Sequence, residues 1–125
     1  MMIITLSKKD FKKFVKYCEY WKKVLNLLNW KIYYSFSSIE HLAQVEINYS
    51  GRNATITLST VWEMPDNTLI NIEEELERTA LHEILELLLS PLEYLASDRK
   101  WDAEEYRRNM HEIIRVFENI LEKKY

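Results

Sequence analysis

Three residues in one short stretch have the types and spacing for chemistry. They are His82, Glu83 and Glu86, within Thr79-Ala80-Leu81-His82-Glu83-Ile84-Leu85-Glu86-Leu87-Leu88-Leu89. On a helix at about 100° per residue, positions 82 and 86 lie about 40° apart and one turn of rise from each other. Both side chains therefore point the same way, with Glu83 on the adjoining flank. Ile84, Leu85, Leu87, Leu88 and Leu89 make the surroundings of Glu86 apolar on every side, the pattern of a buried central helix. A carboxylate in such a run is costly unless it is paired or binds a metal. Glu86 thus needs a partner or a place beside a cleft. Arg78, four residues before His82, offers the other solution, a structural network with Glu75 or Glu86.

Other chemistries find little support. A single glycine cannot build a phosphate-binding loop, and no serine has the neighbours of a nucleophile. Cys18, the one cysteine, falls on an apolar helix stripe and excludes both a disulfide framework and a cysteine-based zinc site. His41 reads as a surface residue. The dipeptides His82-Glu83 and His111-Glu112 do not have the Glu-x-x-His spacing of di-metal helix bundles.

The stretch from Thr79 to Leu89 resembles the active-site helix of the HExxH zinc metallopeptidases, the zincins. It is most similar to their small phage-type members, whose helix reads HELLH followed by leucines. A strand led by Trp30, a short sheet, and a closing helix with Met110-His111-Glu112-Ile113-Ile114-Arg115 extend the likeness over roughly residues 30–121. The resemblance implies that two ligands four residues apart hold one metal ion, a third comes from elsewhere, and an open position is left for water. On this template His82 is a ligand and Glu83 the general base that moves a proton from the attacking water to the leaving amine. Glu112 would be the distant ligand, with His111 as the alternative.

The chain departs from the pattern at Glu86, where the family has its second histidine. A His82–Glu86–Glu112 site would offer one nitrogen and two oxygens, a harder set that weakens zinc selectivity and accommodates Mn²⁺ or Fe²⁺ better. Two functions are then open. One is a metal-dependent peptidase or amidohydrolase of viral or mobile-element type, acting on a peptide or protein. The other is a relative that keeps the scaffold without the chemistry, a protein-binding module such as a phage-encoded inhibitor of a host system.

These residues must be positioned by the rest of the chain. Ser7 and Asp10 read as a helix start, and Phe11, Phe14, Val15, Cys18, Trp21, Leu25 and Leu28 recur at helical spacing for five or six turns. Residues 30–36, 43–49 and 54–58 read as strands. Ser50-Gly51-Arg52-Asn53 reads as a hairpin loop in which glycine supplies positive φ. If the 54–58 strand lies at the sheet edge, an extended substrate can pair with it. Residues 60–70 read as a loop. Asn71 opens a helix that stops at Ser90-Pro91, and Asp98 caps a last helix that reaches the terminal lysines with a stripe of Tyr106, Met110, Ile113, Phe117 and Ile120. The expectation is a single α+β domain over 1–125. It has an N-terminal helix, a three-stranded, mainly antiparallel sheet and two C-terminal helices, a minimal zincin-like arrangement.

With 47% hydrophobic and 30% charged residues, 125 residues can bury a core, and few Gly and Pro argue against an all-β fold. The net charge of −3 conceals an asymmetry. Residues 1–36 carry eight lysines against Asp10 and Glu19, a net of +6, leaving −9 for the remainder. The lysine run reads as a solvated helix face, and the acidic balance argues against a nucleic-acid partner. The opening Met1–Leu6 is too short for a signal core and no run is long enough to cross a membrane, which predicts a cytoplasmic protein, in the host cytoplasm if viral.

Overall fold

A computed structural model describes residues 1–98 and 103–122. Ser7 starts the first helix, α1 (Lys8–Val24), through a capping box. Its Oγ accepts from the Asp10 amide at 3.2 Å, while the Asp10 carboxylate accepts from the Ser7 amide at 2.9 Å. The helix buries Phe14, Cys18 and Trp21 and ends earlier than the periodicity predicts. Asn26 takes a positive φ of 56°, which turns the chain and leaves Leu28 exposed.

Five strands are present, two more than the sequence reading identifies. Strands β2 (Lys31–Ser37), β3 (Ala43–Asn48) and β4 (Asn53–Ser59) form one sheet in the order β2-β4-β3. Strands β1 (Met2–Thr5) and β5 (Val61–Met64) form a separate antiparallel ribbon, β5 within the segment 60–70 expected to be a loop. Such four-residue strands lack a pattern of their own and exist because each supplies the other's ladder. At the corner between β4 and β5, the buried Ser59 hydroxyl donates to the Val61 carbonyl at 2.7 Å. Trp62 Nε1 donates to the Leu42 carbonyl at 3.1 Å, tying the ribbon to the head of β3.

The three-stranded sheet is not mainly antiparallel. β4 runs parallel to β2 and antiparallel to β3, and it is the central strand rather than an edge. Its burial fits that place, since Ala54 and every residue from Ile56 to Ser59 are buried. The register aligns Ile32, Ala54 and Ile47 across the sheet, then Tyr34, Ile56 and Val45, then Phe36, Leu58 and Ala43. These rows share the apolar face, where Phe36 stacks on Phe11 of α1 at 5.1 Å between centroids. The rows between them, Tyr33-Thr55-Glu46 and Ser35-Thr57-Gln44, are polar.

The β3–β4 turn also differs from expectation. Arg52, not Gly51, takes the positive φ, at 54°. Gly51 sits in a crowded place, where a Cβ would lie 2.7 Å from Asn53 Nδ2 and 2.8 Å from Asn48 Nδ2, both ends of side chains.

Helix α2 (Ile72–Leu88) begins where the sequence places it, with the Asn71 side chain accepting from the Glu74 amide at 3.2 Å. It buries Leu76, Ala80, Leu81, Ile84, Leu85 and Leu87 and packs against α1 on one side. Ser90-Pro91 does not lead into a mere link. A further helix, α3 (Ser90–Asp98), starts there, because proline is tolerated in a first turn. Asp98 therefore closes α3 instead of capping the last helix, α4 (Ala103–Glu122). The stripe of α4 is rotated from expectation: Met110, Ile114 and Glu118 are buried, whereas Ile113 and Phe117 are exposed. The Ile120 side chain and the terminal lysines lie outside the described residues. The described chain is thus mixed α and β, with four helices and two sheets, and none of its helices is long and apolar enough to cross a membrane.

Candidate metal centre

The polar flank of α2 faces α4 and the head of β3 across a cavity of about 650 Å³. His82, Glu83 and Glu86 all line it, as the helical spacing requires, and α4 contributes His111 and Glu118. One donor atom from each of His82, Glu86 and His111 lies within 4.8 Å of the other two, so the three can hold one metal ion. His82 Nε2 is 3.6 Å from one Glu86 oxygen, and His111 Nε2 is 4.0 Å from the other. Ligands of a tetrahedral zinc at about 2.0–2.1 Å stand roughly 3.4 Å apart, so small rotamer adjustments close the set. The two imidazoles stack at 5.6 Å between centroids and 23° between planes.

Glu118 completes the arrangement. Its carboxylate accepts from His82 Nδ1 at 2.8 Å, with only 11% of its side chain exposed. An imidazole whose Nδ1–H is so engaged turns its Nε2 lone pair toward Glu86 and His111. This is the carboxylate–histidine support that orients metal ligands. The same hydrogen bond, with help from the Glu86 and Glu118 charges, raises the His82 pKa above its ordinary value, against the opposing effect of burial.

Glu83 is 4% exposed, and its Oε2 is buried without a hydrogen-bond partner among the described residues. Burial foremost, then the negative charge of Glu86, a hydrogen bond with Glu86 and the charge of Glu118, push its carboxyl up to about 9. It is therefore protonated at neutral pH in the metal-free protein. Behind it lies Cys18 of α1, whose thiol is pushed well up by burial and by the Glu83 and Glu19 carboxylates. Cys18 is fully buried and does not reach the cavity.

The structure brings His82, Glu83 and Glu86 to one cavity, and of the two distant candidates it brings His111 and not Glu112. Glu112 is exposed and outside the cluster; the adjacent His111 stands in its place. The reason is the rotation of α4, whose buried row is centred on Ile114 and not on Phe117. Glu118 was not anticipated. Its signal is an acidic residue seven positions after His111, two turns along the same helix face. His41 is exposed but borders the cavity together with Ala43, Gln44 and Val45, so the strand beside the cluster is β3 and not the 54–58 segment.

The donor set changes accordingly, from one nitrogen and two oxygens to two imidazoles and one carboxylate. That set suits zinc in catalytic sites with an open fourth position. Searches against family models, characterised proteins and solved structures find no match to this chain.

Proposed function

We propose that the chain is a metal-dependent hydrolase acting on peptide or amide bonds, with His82, Glu86 and His111 as ligands of one divalent ion. The observation that carries this reading is the Glu118–His82 hydrogen bond, which fixes the imidazole with Nε2 directed at the other two donors. Two imidazoles and a carboxylate suit zinc, and the same donor set with open positions also accepts Fe²⁺. Bound there, the ion supplies Lewis acidity that polarises a carbonyl and eases deprotonation of water. Glu83, bordering the same cavity, would be ionised by the charge of the bound ion and would then take the proton of the attacking water and pass it to the leaving amine. The free edge of β3 holds an extended substrate by strand addition beside the cluster.

One observation favours a second reading. A carboxyl as enclosed as that of Glu83 also fits a purely structural proton-sharing pair with Glu86, and the chain would then be a non-catalytic protein-binding module.

Glu83→Gln separates the two. The hydrolase reading expects one zinc per chain to be retained, by elemental analysis, while turnover of a peptide mixture falls by a factor of about 10² or more. A wild-type protein that binds zinc and cleaves nothing supports the module. A protein that binds no ion overturns the hydrolase reading and leaves the module.

A further inference from the structure

A second recess, of about 310 Å³, lies farther along the same strand. Val45, Ile47 and Tyr49 form one wall, and Ser90, Glu93 and Tyr94 of α3 form the other. Val45 also lines the larger cavity, so the two spaces meet at this residue. They meet again across an ion pair, because Arg107 of the larger cavity approaches Glu93 of the smaller recess at 4.0 Å. Val45 and Ile47 belong to the apolar rows of the sheet, and their side chains advance along β3 in steps of about 7 Å. A chain laid on the edge of β3 with its reacting bond at the cluster therefore passes the recess two to four residues away.

We propose that this recess is a specificity subsite for a lysine or arginine side chain of an extended peptide bound along β3. The inference rests on the hydrolase reading for the position of the reacting bond. The chemistry of the recess is independent of it. Tyr49 and Tyr94 stack at 4.5 Å and 17°, and Tyr94 is 47% exposed, presenting an aromatic surface to the opening. Tyr49 already receives a cation, since the Arg52 guanidinium sits 4.9 Å from its centroid and 5.4 Å from that of Trp30, so the exposed ring of Tyr94 is the surface for an incoming side chain. Glu93 supplies the carboxylate. Its pairing with Arg107 is long, and the two side chains are 41% and 67% exposed, so an incoming cation can exchange for Arg107. A cationic peptide is thus favoured over an acidic one, and the apolar walls hold the methylene stem.

The test uses fluorescein-labelled ten-residue Ala/Ser peptides in which one lysine, or one norleucine as its neutral counterpart, is moved through every position. With zinc-loaded protein, lysine at one position should raise kcat/KM about fivefold to tenfold over norleucine. The lysine-to-norleucine ratio should drop to about one in both Glu93→Gln and Tyr94→Ala. A flat profile, or a preference that survives both substitutions, overturns the subsite. If no peptide is cleaved, the hydrolase reading fails by itself, and fluorescence anisotropy of the same peptides decides the recess. Tighter binding of a lysine peptide that is lost in Glu93→Gln upholds it, and equal binding of lysine and norleucine peptides overturns it.

Discussion

Helix α2 has two long sides that differ in kind. Toward α1 it meets Phe14, Cys18 and Trp21, all fully buried. Only the rim of that seam is polar, where Tyr17 donates to Glu73 at 3.1 Å and Lys13 stands 3.7 Å from it. Toward α4 it carries His82 and Glu86, facing His111 and Glu118 across a cavity. The first side holds the fold by removing apolar surface from water. The second assembles groups that cost stability until something occupies the space between them. Glu83 stands at the boundary, with Cys18 behind it and Glu86 beside it. A dry packing side and a cavity-lining side thus share one helix and meet at Glu83, and substitutions on the two sides should separate them.

The largest effect is expected on metal affinity. His111→Ala should abolish stoichiometric zinc binding, Glu118→Gln should weaken it about 10–100-fold, and Glu112→Ala should leave it unchanged, all read by calorimetric titration. A Glu112→Ala variant that loses zinc while His111→Ala keeps it would restore the ligand set expected from the sequence. On the dry side, Leu81→Ala should cost about 2–5 kcal/mol in urea unfolding, since Leu81 is fully buried. His111→Ala measured in chelator should cost about 1 kcal/mol or less, because its side chain is 37% exposed.

Protonation gives a smaller effect that crosses the boundary. The folded-state pKa of Glu83 lies at about 9, above its ordinary 4.5, so its contribution is complete below pH 4.5 and is lost as pH rises toward 9. His82, also raised, loses its contribution as pH climbs from 6.5 through its folded value. The metal-free protein should therefore have a lower Tm at pH 9 than at pH 5, and Glu83→Gln should flatten that fall. Zinc affinity should move the other way, since binding needs a neutral His82.

The smallest change is expected far from either side. Gly51→Ala should cost about 1 kcal/mol or less, because the added Cβ meets only the ends of Asn48 and Asn53. The shift does disturb Asn48 Oδ1, which accepts from the Gly51 amide at 3.1 Å.

How much of this was legible depended on whether a feature is local. Ser7 with Asp10, and Asn71 before its glutamates, fix two helix starts because each cap is satisfied within four residues. The three main strands show in their alternation. The β1–β5 ribbon did not show, because its only support is a partner some sixty positions distant. Pro91 was misleading, since it can end one helix or stand in the first turn of the next. At the candidate site, His82 and Glu86 were legible from spacing within one helix. The partner from α4 depended on how that helix is rotated against α2. An error of about one residue in the buried row exchanged His111 for Glu112.

The place of β4 between β2 and β3 also governs how the protein reaches its structure. The β3–β4 hairpin joins neighbours in the chain and can close in about 1–10 μs. Its parallel ladder with β2 links residues some twenty-two positions apart and waits on loop closure. Refolding should therefore be paced by docking of a preformed hairpin onto β2. Substitutions at Tyr34–Ile56 should slow refolding, while those on α4 should mainly speed unfolding.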